Sequence, residues 1–324
     1  MSIDQRIIPA NDKSIQAASF SLIGGHLVAF PTETVYGLGA DARNDAAIAA
    51  IFSTKQRPSF NPLIVHVADL AAAQSIVQFN PAAQKLAKAF WPGALTLVLP
   101  RQKNAGISLL VSAGLDTIAV RVPDHPIAHA LLSQSGLAIA APSANRSGEI
   151  SPTTAQHVAT SLSAACHEPE YIIDGGLCQV GLESTVVDLS TDTPTLLRPG
   201  GVTPDEIEAV IGPLAQVGSG EKSQPDQPRS PGMLSRHYAP NVPLRLNATE
   251  ANPGELLIGF GETAPTSSRN LSPSGDLTEA AANLFALMRE VDAAEPQGIA
   301  VMKLPEAGLG LAINDRLRRA ATPD

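Results

Sequence analysis

The chain has 324 residues, more than one small core needs, and its length suggests about two domains. Hydrophobic residues make up 44% of it, but no apolar run approaches the roughly twenty residues that a transmembrane helix requires. The formal net charge is −9 and aromatic residues make up only 4%, which argues against a general nucleic-acid binder. We therefore expect a globular protein without a membrane span, in which any anionic ligand binds within a local pocket.

The two cysteines, Cys166 and Cys178, lie outside any CxxC or histidine-rich cluster. Isolated cysteines of this kind favour reduced thiols and give no basis for a structural zinc site, so we predict no metal bound by protein ligands alone. The N-terminal sequence MSIDQRIIPAND is acidic and has no hydrophobic signal region. These features together predict a cytoplasmic protein.

The chain up to residue 211 alternates predicted helices and strands. Helices are indicated by apolar residues three and four apart and by Asn, Ser or Pro in their first turns, and strands by short apolar runs that end at Pro or Gly. In chain order, the predicted helices cover residues 14–23, 45–56, 68–77, 81–90, 126–135, 152–162 and 204–211, and the predicted strands cover residues 27–30, 63–67, 94–99, 117–122, 137–141, 171–173, 185–189 and 195–197. Crossover and hairpin links both occur, so we expect a mixed sheet.

The composition changes after residue 212 to Gly, Ser, Gln, Pro and Lys, which is typical of a linker. The sequences SPGM and HYAP near its end are unlike linker filler. Strands at 255–260 and 298–303 and helices at 277–294 and 309–321 then predict a small α/β unit. We therefore divide the chain into a catalytic domain (1–212), a linker or lid (213–241) and a C-terminal domain (242–324).

Polar and basic side chains collect between residues 30 and 66. Thr34 follows the end of a predicted strand, where α/β proteins usually bind ligands. Lys55 and Arg57 lie at the end of the next predicted helix, and the strand after it carries His66. The helix dipole alone favours cations there by about 0.3–1 kcal/mol, and a lone His is more often a core residue. No single one of these residues indicates a ligand site.

The joint pattern is more specific. The motifs PTETVYGLG, KQRP, NPLIVH, WPGALT, VRVPDHP, APSANRSG, SPTT, ESTVVD, LRPG and SPGMLSRHYAP resemble, in order and spacing, the YrdC-like threonylcarbamoyl-adenylate synthases in their longer, two-domain form. The match runs from about Gly24 to the C-terminus, with small departures at Gln56 and Ala94. The resemblance implies an α/β fold with a mixed twisted sheet in a YrdC-like domain, followed by a smaller Rossmann-like α/β domain.

The resemblance also implies a reaction. L-threonine, bicarbonate or CO2, and ATP would give threonylcarbamoyl-adenylate and pyrophosphate, with Mg2+ held mainly through the ATP phosphates. A downstream tRNA threonylcarbamoyl transferase would then use the product to form threonylcarbamoyladenosine beside the anticodon. We expect weak or no direct tRNA binding by this chain.

The same resemblance implies the roles of individual residues. Lys55 and Arg57 would be catalytic and would offset charge while the carbamate oxygen attacks the α-phosphorus. The L-threonine site would consist of Thr34, His66, Arg121, Ala141 and Ser184. The ATP site would consist of Lys55, Arg57, Asn61, Thr117, Ser143, Asn145, Ser151, Arg198 and Tyr238, with free N–H groups at the start of the helix after Ser151.

These roles have plainer alternatives that the residue types leave open, because arginines form ion pairs and short polar side chains satisfy their own turns. The alternatives are surface ion pairs for Arg121 and Arg198, turn bonds for Ser143 and Asn145, caps for Glu33 and Glu183, and a linker anchor for Tyr238.

Two rival functions also stay open. An RNA-binding module is disfavoured by the acidic charge. A carbamoyltransferase that forms a carbamoyl-adenylate is disfavoured because the sequence has no acylphosphatase or zinc-finger segment.

Overall fold

The computed structural model describes residues 3–216 and 236–322. A short 3-10 helix at Ile3–Arg6 comes first. The strands are β1 (Ile7–Pro9), β2 (Val28–Phe30), β3 (Gly37–Asp41), β4 (Ile64–His66), β5 (Leu95–Pro100), β6 (Thr117–Arg121), β7 (Ile139–Ala140), β8 (Tyr171–Asp174), β9 (Thr185–Asp188), β10 (Thr195–Arg198), β11 (Ala215–Gln216), β12 (Leu244–Ala248), β13 (Glu255–Gly259), β14 (Arg269–Asn270) and β15 (Gly298–Met302). The helices are α1 (Asp12–Ile23), α2 (Asp45–Lys55), α3 (Leu70–Ile76), α4 (Pro81–Phe90), α5 (Pro126–Ser135), α6 (Ala155–Leu162), α7 (Pro204–Ile211), α8 (Leu277–Ala293) and α9 (Leu309–Ala320). No helix among these residues is both long enough and apolar enough to cross a membrane.

Two sheets organise the described part of the chain. The first eleven strands form one twisted sheet in the order β1-β8-β2-β3-β7-β4-β6-β5-β9-β10-β11. Parallel pairs such as β4 with β6 stand beside antiparallel pairs such as β5 with β6. The other four strands form a parallel sheet in the order β12-β15-β13-β14. The prediction of a mixed α/β domain followed by a smaller α/β domain is confirmed.

The start and end of α2 follow directly from the sequence. The side chain of Asn44 accepts a hydrogen bond from the backbone N–H of Ala47, which caps the first turn. Gln56 ends the helix in the left-handed conformation with φ 50°, and Pro58 prevents it from continuing. Lys55 is therefore the last residue of α2, one residue before the predicted end.

Strand β3 was not predicted, because its sequence GLGAD reads as a glycine-rich turn. It pairs with β2 in antiparallel fashion and lies in the middle of the sheet. A Cβ atom on Gly39 would lie 2.7 Å from the Phe30 ring and 2.9 Å from Ile139. The glycine is therefore explained by close packing within the sheet and not by a turn.

The helix predicted to start directly after Ser151 starts at Ala155, so the predicted start is wrong. The N-cap of α6 is Thr154, whose hydroxyl accepts a hydrogen bond from the N–H of His157. Ser151 instead donates its hydroxyl proton to the carboxylate of Glu183. The Ser151 hydroxyl is therefore engaged by a carboxylate, and Thr154 caps α6 in its place.

The C-terminal sheet and its helices pack directly against the first domain. Val35 and Tyr238 belong to the same buried apolar cluster as Phe285 of α8. Gly181 has φ +69°, and a Cβ there would lie 2.5 Å from the Cα atom of Ala282. A larger residue at position 181 would therefore push α8 away from the first domain.

The predicted boundaries of the linker remain predictions. Strand β11 pairs with β10, so the first sheet continues to Gln216, past the predicted boundary at residue 212. The SPGM sequence lies outside the described residues. His237 and Tyr238 of the HYAP sequence lie within them.

Candidate active site

A pocket lies over one face of the large sheet. Ile64 and His66 are two residues apart on β4, so their side chains point to the same face, and both line the pocket. Ligand binding was expected outside the strand ends, whereas the floor of this pocket is the sheet itself. The lining residues are Thr32, Thr34, Val35, Gly37, Arg57, Ile64, His66, Arg121, Ala141, Pro142, Ser143, Glu183, Ser184, Arg198, His237 and Tyr238.

Arg121 is a buried cation of this pocket that three neighbouring groups hold in place. Its guanidinium donates to the Thr34 hydroxyl at 2.9 Å, to a carboxylate oxygen of Glu33 at 2.5 Å and to the Gly93 carbonyl at 3.1 Å. The second oxygen of Glu33 accepts from the backbone N–H of Asp124. The pair is buried, which corrects both the surface ion pair considered for Arg121 and the cap considered for Glu33. An incoming carboxylate would meet a guanidinium whose orientation is already fixed.

His66 stands opposite Arg121 on the neighbouring parallel strand. Burial and the charge of Arg121 lower the pKa of His66 to about 3, so the imidazole is neutral at physiological pH. Its Nδ1 atom is buried without a hydrogen-bond partner among the described residues. A neutral imidazole with an unused ring nitrogen is suited to bind a hydroxyl or ammonium group of a substrate.

Ser184 is held from two sides. Its hydroxyl lies 2.7 Å from the hydroxyl of Thr96, and Arg198 donates to both its carbonyl and its hydroxyl oxygen. Arg198 is buried, so the surface ion pair considered for it is wrong. Thr96 was not predicted from the sequence, where the available signal was a hydroxyl at the second position of the otherwise apolar strand LTLVLP.

Lys55 lies beneath the loop that carries Ser143 and Asn145. Its ammonium donates to the backbone carbonyl oxygens of both residues, and only 1% of the residue is exposed. Burial and the charge of Arg57 hold the pKa of Lys55 well below its usual 10.5. Lys55 does not line the pocket. In this structure it therefore supports the loop, and its predicted contact with ATP remains a prediction.

Arg57 adds a second buried cation. Its guanidinium donates to the carbonyl oxygens of Asn61 and Pro62. Burial and the charge of Arg198 lower the pKa of Arg57 to about 9, so it is still charged at neutral pH. Lys55 and Arg57 disfavour each other's charge, which an anionic ligand would relieve.

Two asparagines near these cations carry buried polar atoms without partners. Neither side-chain polar atom of Asn61, nor Oδ1 of Asn145, has a hydrogen-bond partner in residues 3–216 and 236–322. The amide nitrogen of Asn145 does donate, to the carbonyls of Arg146 and Glu149. The turn-bond alternative for Asn145 therefore holds in part. Each such orphan costs about 1–3 kcal/mol, and a ligand or water would satisfy it.

Thr117 lies at the opposite end of β6 from Arg121, about 13 Å away at the usual strand rise. The two side chains share a face of the sheet, because they are four positions apart and side chains alternate between the two faces of a strand. Strand register pairs Ile64 with Ala119, which puts Thr117 level with the residues just after Asn61. Thr117 does not line the pocket, and its predicted ATP contact remains a prediction.

Glu183 lines the pocket and accepts two hydrogen bonds. Ser151 donates to one carboxylate oxygen at 2.6 Å, and Arg316 of α9 donates to the other at 2.8 Å. Burial would raise the pKa of Glu183, but Arg316, Arg198 and the Ser151 hydroxyl outweigh it and lower the pKa to about 2. Glu183 is therefore ionised and is not a helix cap. Neither Glu183 nor Arg316 was predicted as a site residue.

Tyr238 has a strained backbone, with φ +63°. Its ring stacks on Phe285 at a centroid distance of 5.5 Å, and Ala239 donates to the carbonyl of Gly148, which ties the segment to the first domain. Tyr238 also lines the pocket, and its buried hydroxyl has no partner in the described chain. It therefore anchors the segment and also remains positioned to contact a ligand.

Comparison with known proteins fits this architecture. A family model described as "Telomere recombination" matches residues 21–200. A second model, described as the C-terminal domain of threonylcarbamoyl-AMP synthase, matches residues 202–322. The chain belongs to the Sua5/YrdC family. The two matches together span the strands from β2 to β15.

Full-length relatives of this Sua5/YrdC chain are found in distant organisms. The threonylcarbamoyl-AMP synthase of Bacillus subtilis is 44% identical over 97% of this chain and 94% of its own length. That of Pyrococcus abyssi is 42% identical over 95% of this chain and 94% of its own. A crystal structure of P. abyssi Sua5 complexed with L-threonine superposes with a TM-score of 0.88 at 39% identity and covers 97% of both chains. The family resemblance read from the motifs is confirmed.

Proposed function

We propose that the chain condenses L-threonine, bicarbonate or CO2, and ATP into threonylcarbamoyl-adenylate and pyrophosphate. The observation that carries the proposal is the pocket itself, which is lined by the three buried arginines Arg57, Arg121 and Arg198. The relatives named threonylcarbamoyl-AMP synthase, and the fold shared with a protein crystallised with L-threonine, support this assignment.

The triphosphate of ATP would neutralise the excess of positive charge near Arg57. Lys55, Arg57 and Arg198 are all buried, and the one buried carboxylate that lines the pocket near Arg198, Glu183, is also engaged by Arg316. A polyanion would favour the charged forms of these groups and offset the cost of burying them. The orphaned amide of Asn61 and hydroxyl of Tyr238 are available to the nucleotide. The predicted contacts of Ser143, Asn145 and Ser151 belong to the same proposal.

Threonine would bind at the Arg121 end. Its carboxylate would bind the guanidinium of Arg121 together with Glu33, whose ion pair already orients that guanidinium. The neutral imidazole of His66 and the hydroxyls of Thr34 and Ser184 would take the ammonium and side-chain hydroxyl. Ala141 would contribute its backbone carbonyl.

The reaction then needs positioning more than covalent catalysis. The threonine amine and bicarbonate form a carbamate with loss of water. A carbamate oxygen attacks the α-phosphorus, and the bond from that phosphorus to the bridging oxygen breaks, so that pyrophosphate leaves with the electron pair. Lys55, through the loop that it holds, and Arg57 would stabilise the charge that develops.

Magnesium fits this pocket as a companion of ATP. The described residues contain no group of three His, Cys, Asp or Glu side chains able to hold a metal ion, and Glu33 and Glu183 are engaged by arginines. Mg2+ would therefore be held mainly by phosphate oxygens and water, and would neutralise phosphate charge when bound.

The product fits a tRNA-modifying role in the cytoplasm. A mixed anhydride of a carbamate and AMP is an activated acyl donor, so a separate transferase would pass the threonylcarbamoyl group to tRNA and form threonylcarbamoyladenosine beside the anticodon. The acidic net charge of −9 supports weak or no direct tRNA binding by this chain.

The test is pyrophosphate release in the presence of ATP, Mg2+ and bicarbonate, compared across single amino acids. We expect threonine to give the fastest release. Release that is independent of the amino acid would point to the rival carbamoyltransferase. Tight, salt-dependent RNA binding without turnover would point to an RNA-binding module.

A further inference from the structure

Arg316 of the C-terminal domain is completely buried and reaches into the first domain. Its Nε donates to Glu183 at 2.8 Å and its Nη1 donates to the Pro199 carbonyl at 2.9 Å. The same Nη1 is paired with Asp315 at 2.8 Å. A guanidinium from α9 is thus bonded to Glu183, just before β9, and to Pro199, just after β10, in the domain that holds the pocket.

The partners of Arg316 line the pocket or contact its lining. Glu183 lines it and also accepts from Ser151, so Arg316 fixes the carboxylate that holds the Ser151 hydroxyl. The guanidinium carbon of Arg316 lies 5.3 Å from the ring centroid of Tyr238, in a cation–π contact. Both Ser151 and Tyr238 are in the proposed ATP site.

We propose that Arg316 is a positioning residue for ATP, through which the C-terminal domain sets the orientation of the Ser151 hydroxyl and the Tyr238 ring. This inference rests on the proposed function and deepens it. It gives the second domain a specific task in the first domain's pocket.

The alternative is that Arg316 only fastens the two domains. Its Nη2 atom is buried without a hydrogen-bond partner among the described residues, so the fold leaves one donor of the guanidinium unused. Arg289 of α8 already fastens the same region, donating to the Ile150 carbonyl and to the Ser161 hydroxyl. Joining the two domains therefore does not by itself require a second buried arginine, Arg316, bound to the Glu183 carboxylate.

Loss of Arg316 would also change the protonation of Glu183. The groups that face this carboxylate are Arg316 of α9, Arg198 of β10, the Ser151 hydroxyl, and His237 and Tyr238 of the HYAP segment. Asp315 is paired with the guanidinium of Arg316. Burial raises the pKa of Glu183 and Arg316 is the first influence that lowers it. Without the guanidinium the carboxyl would keep its proton to higher pH, and nucleotide binding would gain an acid limb that the wild type lacks.

The experiment compares Arg316→Met, Arg316→Lys and a control, Arg318→Met, in the full-length protein. Arg318 lies on the same helix, is exposed and pairs with Glu306 at the surface. ATP affinity is measured by calorimetry over a pH series, and steady-state KM values are measured separately for ATP and threonine. The amino-acid dependence of pyrophosphate release in the wild type is measured first.

We expect Arg316→Met to raise the Kd and KM for ATP by about 100-fold, as for a residue that misplaces contacting groups by about 1 Å, with the KM for threonine unchanged. An acid limb should appear in the ATP affinity, Arg316→Lys should recover part of the loss, and Arg318→Met should match the wild type. If Arg316→Met lowers the melting temperature but keeps the wild-type ATP affinity and KM, Arg316 only joins the two domains and the proposal is overturned. If turnover by the wild type does not depend on threonine, the proposed function is rejected. The ATP affinities of the Arg316 variants would still test the positioning role of Arg316.

Discussion

The ammonium nitrogen of Lys55 lies 2.6 Å from the carbonyl oxygen of Ser143, and the residue is almost fully enclosed. The contact places the side-chain nitrogen of Lys55 directly beneath the loop that borders the pocket. It also gives Lys55 a structural task that its position at a helix end does not reveal. Any effect of removing this residue will therefore combine loss of charge with loss of loop support.

Replacement of Lys55 by Met should lower turnover by at least about 100-fold, the range seen when a charge-stabilising donor is removed. The melting temperature should fall as well, because two carbonyl oxygens lose a charged donor in a buried place. The measurement is pyrophosphate release together with thermal unfolding. Lys85→Met, at an exposed position of α4, is the control. Near-wild-type turnover in Lys55→Met would contradict the proposed role.

ATP binding should take up protons. In the free protein burial and Arg57 lower the pKa of Lys55, and a bound triphosphate would raise it, so the complex holds more protons than the free protein. ATP affinity should then fall as pH rises through the window between the lowered pKa and about 10.5. Calorimetry in buffers of different ionisation enthalpy measures the uptake. The uptake should shrink in Lys55→Met, and an unchanged uptake there would assign it to another group.

The sequence was a better guide to elements than to their partners. Asn44 and Pro58 bound α2 as predicted, because caps and prolines act locally. Nothing in the local sequence indicates that Lys55 supports the fold, whereas its contacts with the 143–145 loop predict a cost in stability when it is replaced. Those contacts join residues almost ninety positions apart, and local patterns carry no information on them.

The same limit applies to the buried carboxylates. Glu33 and Glu183 looked like possible caps, since their arginine partners lie far away in the chain. Arg316 sits in a helix of the second domain with several other charged residues, and nothing in its spacing distinguishes it from Arg318. Family motifs pointed to pocket residues of the first domain such as His66 and Arg121, but they did not point to Glu183. The contact that Arg316 of the second domain makes with Glu183 required the structure.

Replacement of Glu33 by Gln should raise the KM for threonine by about 10-fold or more. The change removes a charged partner that orients Arg121, and hydrogen bonds to charged groups contribute about 1.5–3 kcal/mol. ATP affinity should stay near the wild-type value. Steady-state kinetics with each substrate varied in turn makes the measurement, and Glu255→Gln, which loosens the more exposed Arg245 pair, is the control. An unchanged KM for threonine would show that Arg121 does not bind this substrate.

Replacement of Tyr238 by Phe should weaken ATP binding by about 5-fold to 10-fold, which corresponds to one neutral hydrogen bond of about 1–1.5 kcal/mol. The ring, its stack on Phe285 and its contact with Arg316 are preserved. The melting temperature without ligand should be equal or higher, because the removed hydroxyl is buried without a partner. A variant that binds ATP as tightly as the wild type would leave Tyr238 as an anchor of the segment only.

The central claim is that one pocket joins threonine, bicarbonate carbon and the AMP portion of ATP. The most direct measurement uses labelled threonine, carbon-labelled bicarbonate and ATP labelled at the α-phosphate in one reaction with Mg2+, followed by rapid separation of the products. We expect a single labile product that carries all three labels in equal amounts and forms in step with pyrophosphate. An adenylate that forms without threonine, or that lacks the bicarbonate carbon, would contradict this claim.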